Sequence, residues 1–399
     1  MTILYVSTVF PAEHTSSTIY TDLAEALVSR GHEVIVVCSN ERKYNISTQA
    51  VYERGSFVLR IKTGNLYDVG NIEKALSQLF IKSTFKKAIK KYLSGKKIDL
   101  ILFEAPPVTM GSIIKSIKRL FSAPSFLMMK DIFPQNAVDL GMIRKDSFLH
   151  RYYSLKEREL YAAADCIGCM STGNQEYLMK HHPELNREKF LIFPNTKKIC
   201  EKKQRNREYP LRKKYHIEDD AVVFVFGGNM GKPQGINFLC AAAERLSGRN
   251  DIFFTFVGRG TERYIVEQYA QNHTNVVVLP NLTRADYETF VLECDVGIVS
   301  LDYRFTIPNY PSRILSYFEY SMPVLCATDR ATDMKSLIQD NQCGMWCPSN
   351  DIDEFCKCAI ALAKNRTLRE NMGMNGRKLI EERFSVENSI DLLEQYMSQ

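Results

Sequence analysis

No apolar run in the 399-residue chain approaches the roughly 18 residues that would carry it across a bilayer. The first seven residues lack the basic segment of a secretory leader and run straight into a strand pattern. A protein made and kept in the cytoplasm is the expectation. The turn after that first strand has no Gly-x-Gly-x-x-Gly fingerprint, which counts against a nicotinamide or flavin enzyme of the dinucleotide-binding type. Metal-ligand spacing is scarce as well. Among eleven cysteines only Cys166 and Cys169 form a CxxC, in a strand-like run with no second pair to match it. Cys343, Cys347, Cys356 and Cys358 make a looser group, and Cys38, Cys240, Cys294 and Cys326 stand in apolar contexts. Most therefore read as small buried hydrophobes of a reducing compartment, and no metal is expected.

What the chain does have is an uneven charge. Residues 1–200 hold 28 Lys and Arg against 19 Asp and Glu, a net +9, whereas residues 201–399 hold 24 against 27, a net −3. A basic first half and an acidic second half are properties of two domains, which the length also favours. The basic excess is concentrated in residues 82–97, where Lys82, Lys86, Lys87, Lys90, Lys91, Lys96 and Lys97 alternate with apolar residues on a helical pattern. The aromatics there do not line up with the lysines as a stacking platform, so nucleic acid is not the expected partner. An anionic membrane face fits better.

Strand and helix patterns alternate along the whole chain. Apolar strand runs occur at 2–7, 33–38, 99–103, 125–129 and 166–170, with helical periodicity at 19–29, 71–93, 111–121 and 147–164. Residues 197–214 are dominated by Lys, Arg, Glu and Asn and read as a linker. Strand runs then resume at 221–226, 252–257, 276–279, 296–300 and 324–327. The expected boundaries are a first domain over 1–200, a second over 201–385, and a C-terminal helix over 386–399 that returns to the first. The organising stretch is Gly227-Gly228-Asn229-Met230-Gly231-Lys232-Pro233-Gln234-Gly235, between a buried strand and a helix. Glycines let backbone amides approach a ligand, and a helix start favours negative charge. The phosphates of a nucleotide suit such a turn; so does a tight ligand-free connection.

Taken together, several short motifs resemble those of retaining family 4 glycosyltransferases with the GT-B fold. Phe10-Pro11 after the first strand, Arg30-Gly31-His32-Glu33-Val34, Phe193-Pro194-Asn195, Val257-Gly258-Arg259-Gly260 and Pro311-Ser312-Arg313-Ile314-Leu315 are similar to the family pattern. Lys130-Asp131-Ile132-Phe133-Pro134 and the 228–235 loop resemble a branch that builds bacterial surface polysaccharides, such as O-antigen or capsule. The resemblance implies two Rossmann-like doubly wound α/β domains facing a central cleft. It also implies a UDP-linked donor, an N-acetylated amino sugar being one candidate, and a lipid-linked saccharide acceptor. The enzyme would work without metal, peripherally, at the inner face of the cytoplasmic membrane. Three features depart from the family. The first loop carries His14-Thr15-Ser16-Ser17 in place of glycines, Asn229 and Gln234 stand where many members place Arg and Lys on the donor phosphates, and the glutamate pair spaced eight apart falls on Pro308 and Ser316. A non-catalytic nucleotide-sugar-binding partner of another transferase, or a GT-B epimerase, is therefore carried as an alternative.

Within that resemblance the donor is expected to meet Gly228, Asn229, Lys232, Gln234, Arg259, Leu282, Ser312, Arg313, Ile314, Ser316 and Glu319. Arg313, at a helix start, would neutralise the leaving diphosphate. Glu319, one turn beyond Ser316, would take over a sugar-hydroxyl contact from the missing glutamate. Asp131, at a strand's carboxyl end, would receive the acceptor hydroxyl, with His14, Ser16 and Lys130 beside it. Asp131, Glu319 and Arg313 are the expected catalytic residues, and retention requires no protein nucleophile.

Overall fold

The computed structural model describes residues 1–398 except 14, 16, 66–69, 202–209, 281 and 283. The chain forms two units, Met1–Lys198 with Val386–Gln399, and Ile199–Ser385. Among the described residues no helix is long and apolar enough to cross a membrane.

In the first unit the elements are β1 (Thr2–Val6), α1 (Ile19–Ser29), β2 (Glu33–Glu41), β3 (Gln49–Glu53), β4 (Ser56–Thr63), α2 (Asn71–Leu93), β5 (Leu100–Ala105), α3 (Gly111–Phe121), β6 (Ser125–Met129), α4 (Gln135–Asp139), α5 (Phe148–Ala163), β7 (Cys166–Cys169), α6 (Thr172–His181) and β8 (Phe190–Ile192). The strands lie in the order β3-β4-β2-β1-β5-β6-β7-β8. Near-continuous runs such as Leu100-Ile101-Leu102-Phe103 are buried throughout, as parallel strands covered on both faces must be. The direction of winding reverses between β1 and β5, so the crevice at a topological switch point lies beyond their carboxyl ends. Between β3 and β4 the chain folds back at Arg54 and Gly55. Both take positive φ, and β3 pairs antiparallel with β4 from Glu53↔Ser56 onward.

In the second unit α7 (Pro210–Lys214) precedes β9 (Val222–Gly227), α8 (Ile236–Arg245), β10 (Ile252–Val257), α9 (Arg263–Ala270), β11 (Val276–Leu279), α10 (Arg284–Val291), β12 (Val296–Ser300), α11 (Arg313–Glu319), β13 (Val324–Thr328), α12 (Met334–Asp340), β14 (Gly344–Pro348), α13 (Ile352–Lys364) and α14 (Arg366–Arg383). The order β11-β10-β9-β12-β13-β14 is all parallel, with its switch point between β9 and β12. Afterwards α15 (Val386–Met397) packs on the first unit. Val386, Ile390 and Leu393 join that unit's core, and Thr196 Oγ1 lies 2.7 Å from Ser389 Oγ.

The stretch read as a linker is not featureless. Arg212 is 3% exposed. Its Nη2 donates to Asp295 Oδ2 at 2.6 Å and its Nε to the Glu293 carbonyl at 2.8 Å, while Nη1 reaches the Ala221 carbonyl at 2.9 Å. A charge-rich segment hides one buried anchor, which composition alone cannot distinguish from its solvated neighbours. Removing it leaves the half-buried Asp295 without its cation and two buried carbonyls without their donor, a loss of about 3 kcal/mol. Arg212→Ala is expected to lower the denaturant midpoint of the second unit accordingly, read by urea titration of Trp346 fluorescence.

Candidate active site

Beyond the carboxyl ends of β9 and β10 two glycine turns lie edge to edge. The Gly228 N–H donates to the Val257 carbonyl, Met230 N–H to the Arg259 carbonyl and Glu262 N–H to the Met230 carbonyl, each at 2.8 Å. Gly258 and Gly260 have φ of +136° and +150°; a Cβ on them would stand 2.0 Å from the Gly228 oxygen and 2.2 Å from the Met230 oxygen. No side chain fits there, so only glycine allows this approach. The loop after β12 braces the other side, with Ser300 Oγ donating to the Gln234 carbonyl at 2.8 Å and Asp302 N–H to the Pro233 carbonyl at 2.9 Å.

Arg313 lies beside this double turn. Its guanidinium lies 4.3 Å from the Phe226 ring centroid, and Nη2 approaches the Asn229 carbonyl at 3.5 Å. Nη1 is buried and makes no hydrogen bond. Burial disfavours its charge, against which the phenols of Tyr317 and Tyr287 act. The Tyr317 hydroxyl accepts from Gly227 N–H at 3.0 Å and donates to the Val225 carbonyl at 3.1 Å, so the tyrosine ties α11 to β9 and fixes where Arg313 starts. Arg313 as a whole is half-buried, and a cation with one buried, unfilled donor is a costly arrangement unless an anion completes it.

The other expected donor residues divide. Gly228, Asn229, Arg259 and Ser312 are exposed, and Leu282 and Ser316 half-buried. Gln234 shapes the turn: its Oε1 accepts from Gly231 N–H at 3.1 Å and from Asn229 Nδ2 at 3.3 Å. Lys232 is exposed and lines a cavity of about 460 Å³ with Asn237, Glu262, Asp302 and Arg304, which Arg313 and Gly228 do not border. Ile314 is fully buried core, so its side chain is not available to a ligand. Glu319 requires a correction. It is 2% exposed, its Oε1 accepts from Cys200 N–H at 3.0 Å, and Arg377 Nη1 donates to its carbonyl at 2.7 Å. Six residues of helix separate it from Arg313, about 9 Å of rise. Its carboxylate anchors the start of the second unit instead of facing the glycine turns.

In the first unit β1, β5 and β6 deliver a second group of polar side chains. Asp131 follows β6; its Oδ2 accepts from Asn136 Nδ2 at 2.7 Å, Oδ1 is buried without a hydrogen bond, and burial pushes the carboxyl up to about 6. Lys130 carries its ammonium 5.5 Å from the Phe193 ring centroid; burial lowers its pKa and the Glu104 carboxylate raises it. Glu104, at the end of β5, is buried and receives Ser7 Oγ–H at 2.5 Å. Burial raises its pKa, opposed by the Ser7 and Tyr5 hydroxyls, the Thr8 backbone and Lys130. Glu104, Tyr287 and Tyr317 were not among the expected site residues. A lone carboxylate closing the apolar run Leu100–Ala105 was the available signal for the first. His14 and Ser16 lie outside the described residues. Cys166 and Cys169 are buried thiols with pKa pushed up to about 12 by burial.

Parallel sheets with these two crevices define a GT-B glycosyltransferase fold. The chain aligns over its full length with sucrose-phosphate synthase (tll1590) from Thermosynechococcus elongatus, at TM-score 0.75, 15% identity and 98% coverage of that chain. It aligns likewise with Anabaena Alr3699/HepE in complex with UDP-glucose, at 0.72, 16% and 100%. Residues 209–379 match the family described as "Glycosyl transferases group 1". A probable glycosyltransferase, WbjE of Pseudomonas aeruginosa, is 23% identical over 305 residues, 73% of this chain and 74% of that protein.

Two substitutions separate the roles of the α11 residues. Arg313→Ala is expected to lower the melting temperature because the Phe226 face is uncovered. Glu319→Ala is expected to cost about 1–3 kcal/mol in stability through the orphaned Cys200 N–H. Thermal unfolding reads both.

Proposed function

We propose that this protein is a retaining glycosyltransferase that moves a hexosyl or N-acetylhexosaminyl group from a UDP-sugar to a lipid-linked saccharide, without a metal ion, in the building of a bacterial surface polysaccharide. The observation that carries the reading is Arg313, whose buried Nη1 has no hydrogen-bond partner beside the exposed Gly228-Asn229 turn. As the glycosidic bond breaks, negative charge grows on the diphosphate. A preorganised guanidinium stabilises that charge more than the ground state. The group 1 family match over 209–379 and the UDP-glucose named with the Anabaena neighbour support the donor class. The similarity to WbjE supports the polysaccharide setting.

On the acceptor side, Asp131 offers a carboxylate at a strand end to a sugar hydroxyl, and the charges of Lys130 and Glu104 act on one another nearby. The lysines of α2 and its exit, Lys82, Lys86, Lys87, Lys90, Lys91, Lys96 and Lys97, are all exposed, which suits an anionic membrane face. Ser316, in place of the family glutamate, supports the second reading of a nucleotide-sugar-binding partner that does not transfer. Product formation from a labelled UDP-sugar on a lipid-linked acceptor separates the two: donor binding without product, across sugars, overturns the transferase.

UDP at a hundred times its dissociation constant should add about 2.7 kcal/mol to stability, and EDTA should leave the shift intact. Asp131→Asn should lose transfer. Because the native carboxyl titrates near 6 against about 4 unfolded, the ionised form costs stability as pH rises through that window. The variant should therefore match wild type in melting temperature at the acid end and exceed it at pH 7. A melting difference that is flat with pH would mean that Asp131 is not held in a desolvated place.

A further inference from the structure

The first half of α5 is uncovered in an unusual way. Phe148 is 87% exposed and Leu155 66%; Leu149, next in the helix, is 47% exposed, and Met142, in the loop that leads into it, 61%. Phe148, Arg151 and Leu155 fall at helical spacings of three and four, so they share one face. Arg144, Lys145 and Arg151 are exposed around these apolar side chains, and among the described residues none of the three has an ion pair. The nearby acid, Asp146, faces His150 at 4.0 Å. Large apolar side chains in one exposed group mark a surface that something else covers, and unpaired cations at its rim say what charge that partner carries.

The position of this face is as informative as its composition. The Gly111 backbone, opening α3, lies against that of Leu160. About 18 Å of α5, from Phe148 to that point, therefore precedes the crossing. Tyr153 on the same helix meets the Phe133 ring edge-to-face at 4.8 Å, two residues from Asp131. The exposed end of α5 is thus joined directly to the loop that carries Asp131.

We propose that the 142–155 segment is a membrane-inserting surface. Its Met142, Phe148, Leu149 and Leu155 side chains enter the acyl boundary of an anionic phospholipid bilayer, and Arg144, Lys145 and Arg151 sit among the headgroups. This is a different surface from the lysines of α2, which attract the same membrane by charge alone. It rests on the lipid-linked acceptor reading: a lipid anchor at the bilayer face would be met next to Asp131.

The test uses the full chain with vesicles of phosphatidylcholine alone and of phosphatidylcholine mixed with phosphatidylglycerol. Phe148→Ser with Leu155→Ser should lower partitioning to the mixed vesicles at least about tenfold, the loss of two buried apolar side chains, and leave UDP binding unchanged. Phe148→Trp adds a reporter to the single native Trp346. Brominated lipid should quench the added tryptophan and spare Trp346. Binding that is abolished by salt and by Lys86, Lys87, Lys90 and Lys91→Gln, with no quenching at position 148, overturns the proposal. So does a loss of self-association, seen by sedimentation, in place of a loss of vesicle binding, because the face would then be covered by a second copy. Insertion by a protein that transfers to no lipid-linked acceptor supports the surface and overturns the acceptor reading instead.

Discussion

The second unit depends on one close approach of backbone to backbone. Where β9 and β10 end, their turns continue side by side, and the Gly258 Cα occupies space that a single methyl group would contest with the Gly228 oxygen. That contact holds the 228–235 loop flat against its neighbour, leaving Gly228 and Asn229 on the surface. It also brings Phe226 to the end of its strand, where the Arg313 guanidinium can stack upon it. The arginine is thereby both a packed residue and an unsatisfied one. Its plane is covered by an aromatic ring, as suits a weakly hydrated cation, while one nitrogen is buried without a hydrogen bond.

Much of this architecture was legible in the sequence, for a physical reason. Parallel strands buried on both faces must be apolar throughout, so Val222–Gly227 and Leu100–Ala105 announce themselves whatever surrounds them. Turn chemistry located the glycine-rich loop, and a cation at a helix start pointed to Arg313. What stayed hidden were the buried charges. Arg212 and Glu319 occur in charged or mixed stretches where nothing local separates an anchored side chain from a solvated one; their partners Asp295 and Cys200 lie 83 and 119 residues away. Glu319 was judged from spacing on a helix, and spacing says which face a residue shares, not which way the helix is docked. Glu104 was hidden for the opposite reason: it lies in an apolar strand, and its partner Ser7 follows the neighbouring strand β1, 97 residues away.

The two switch points hold different chemistry. In the second unit the polar groups are amides, glycines and a cation, fitted to an anion. In the first, acids and a lysine have pKa values drawn toward neutrality by burial, with Glu104 raised and Lys130 lowered.

The last helix gives the chain an order of assembly. Residues 386–397 supply core side chains, Val386, Ile390 and Leu393, to a unit whose strands were all made before residue 199. Arg30 and His32 meet Asp391 and Glu394 at 2.7 and 3.0 Å. On the ribosome the first unit must wait, with one face of its core open, while the whole of the second emerges and folds. In the finished molecule two covalent crossings, at residues 198–199 and 385–386, join the units, so the second is held at both of its ends like an inserted cassette.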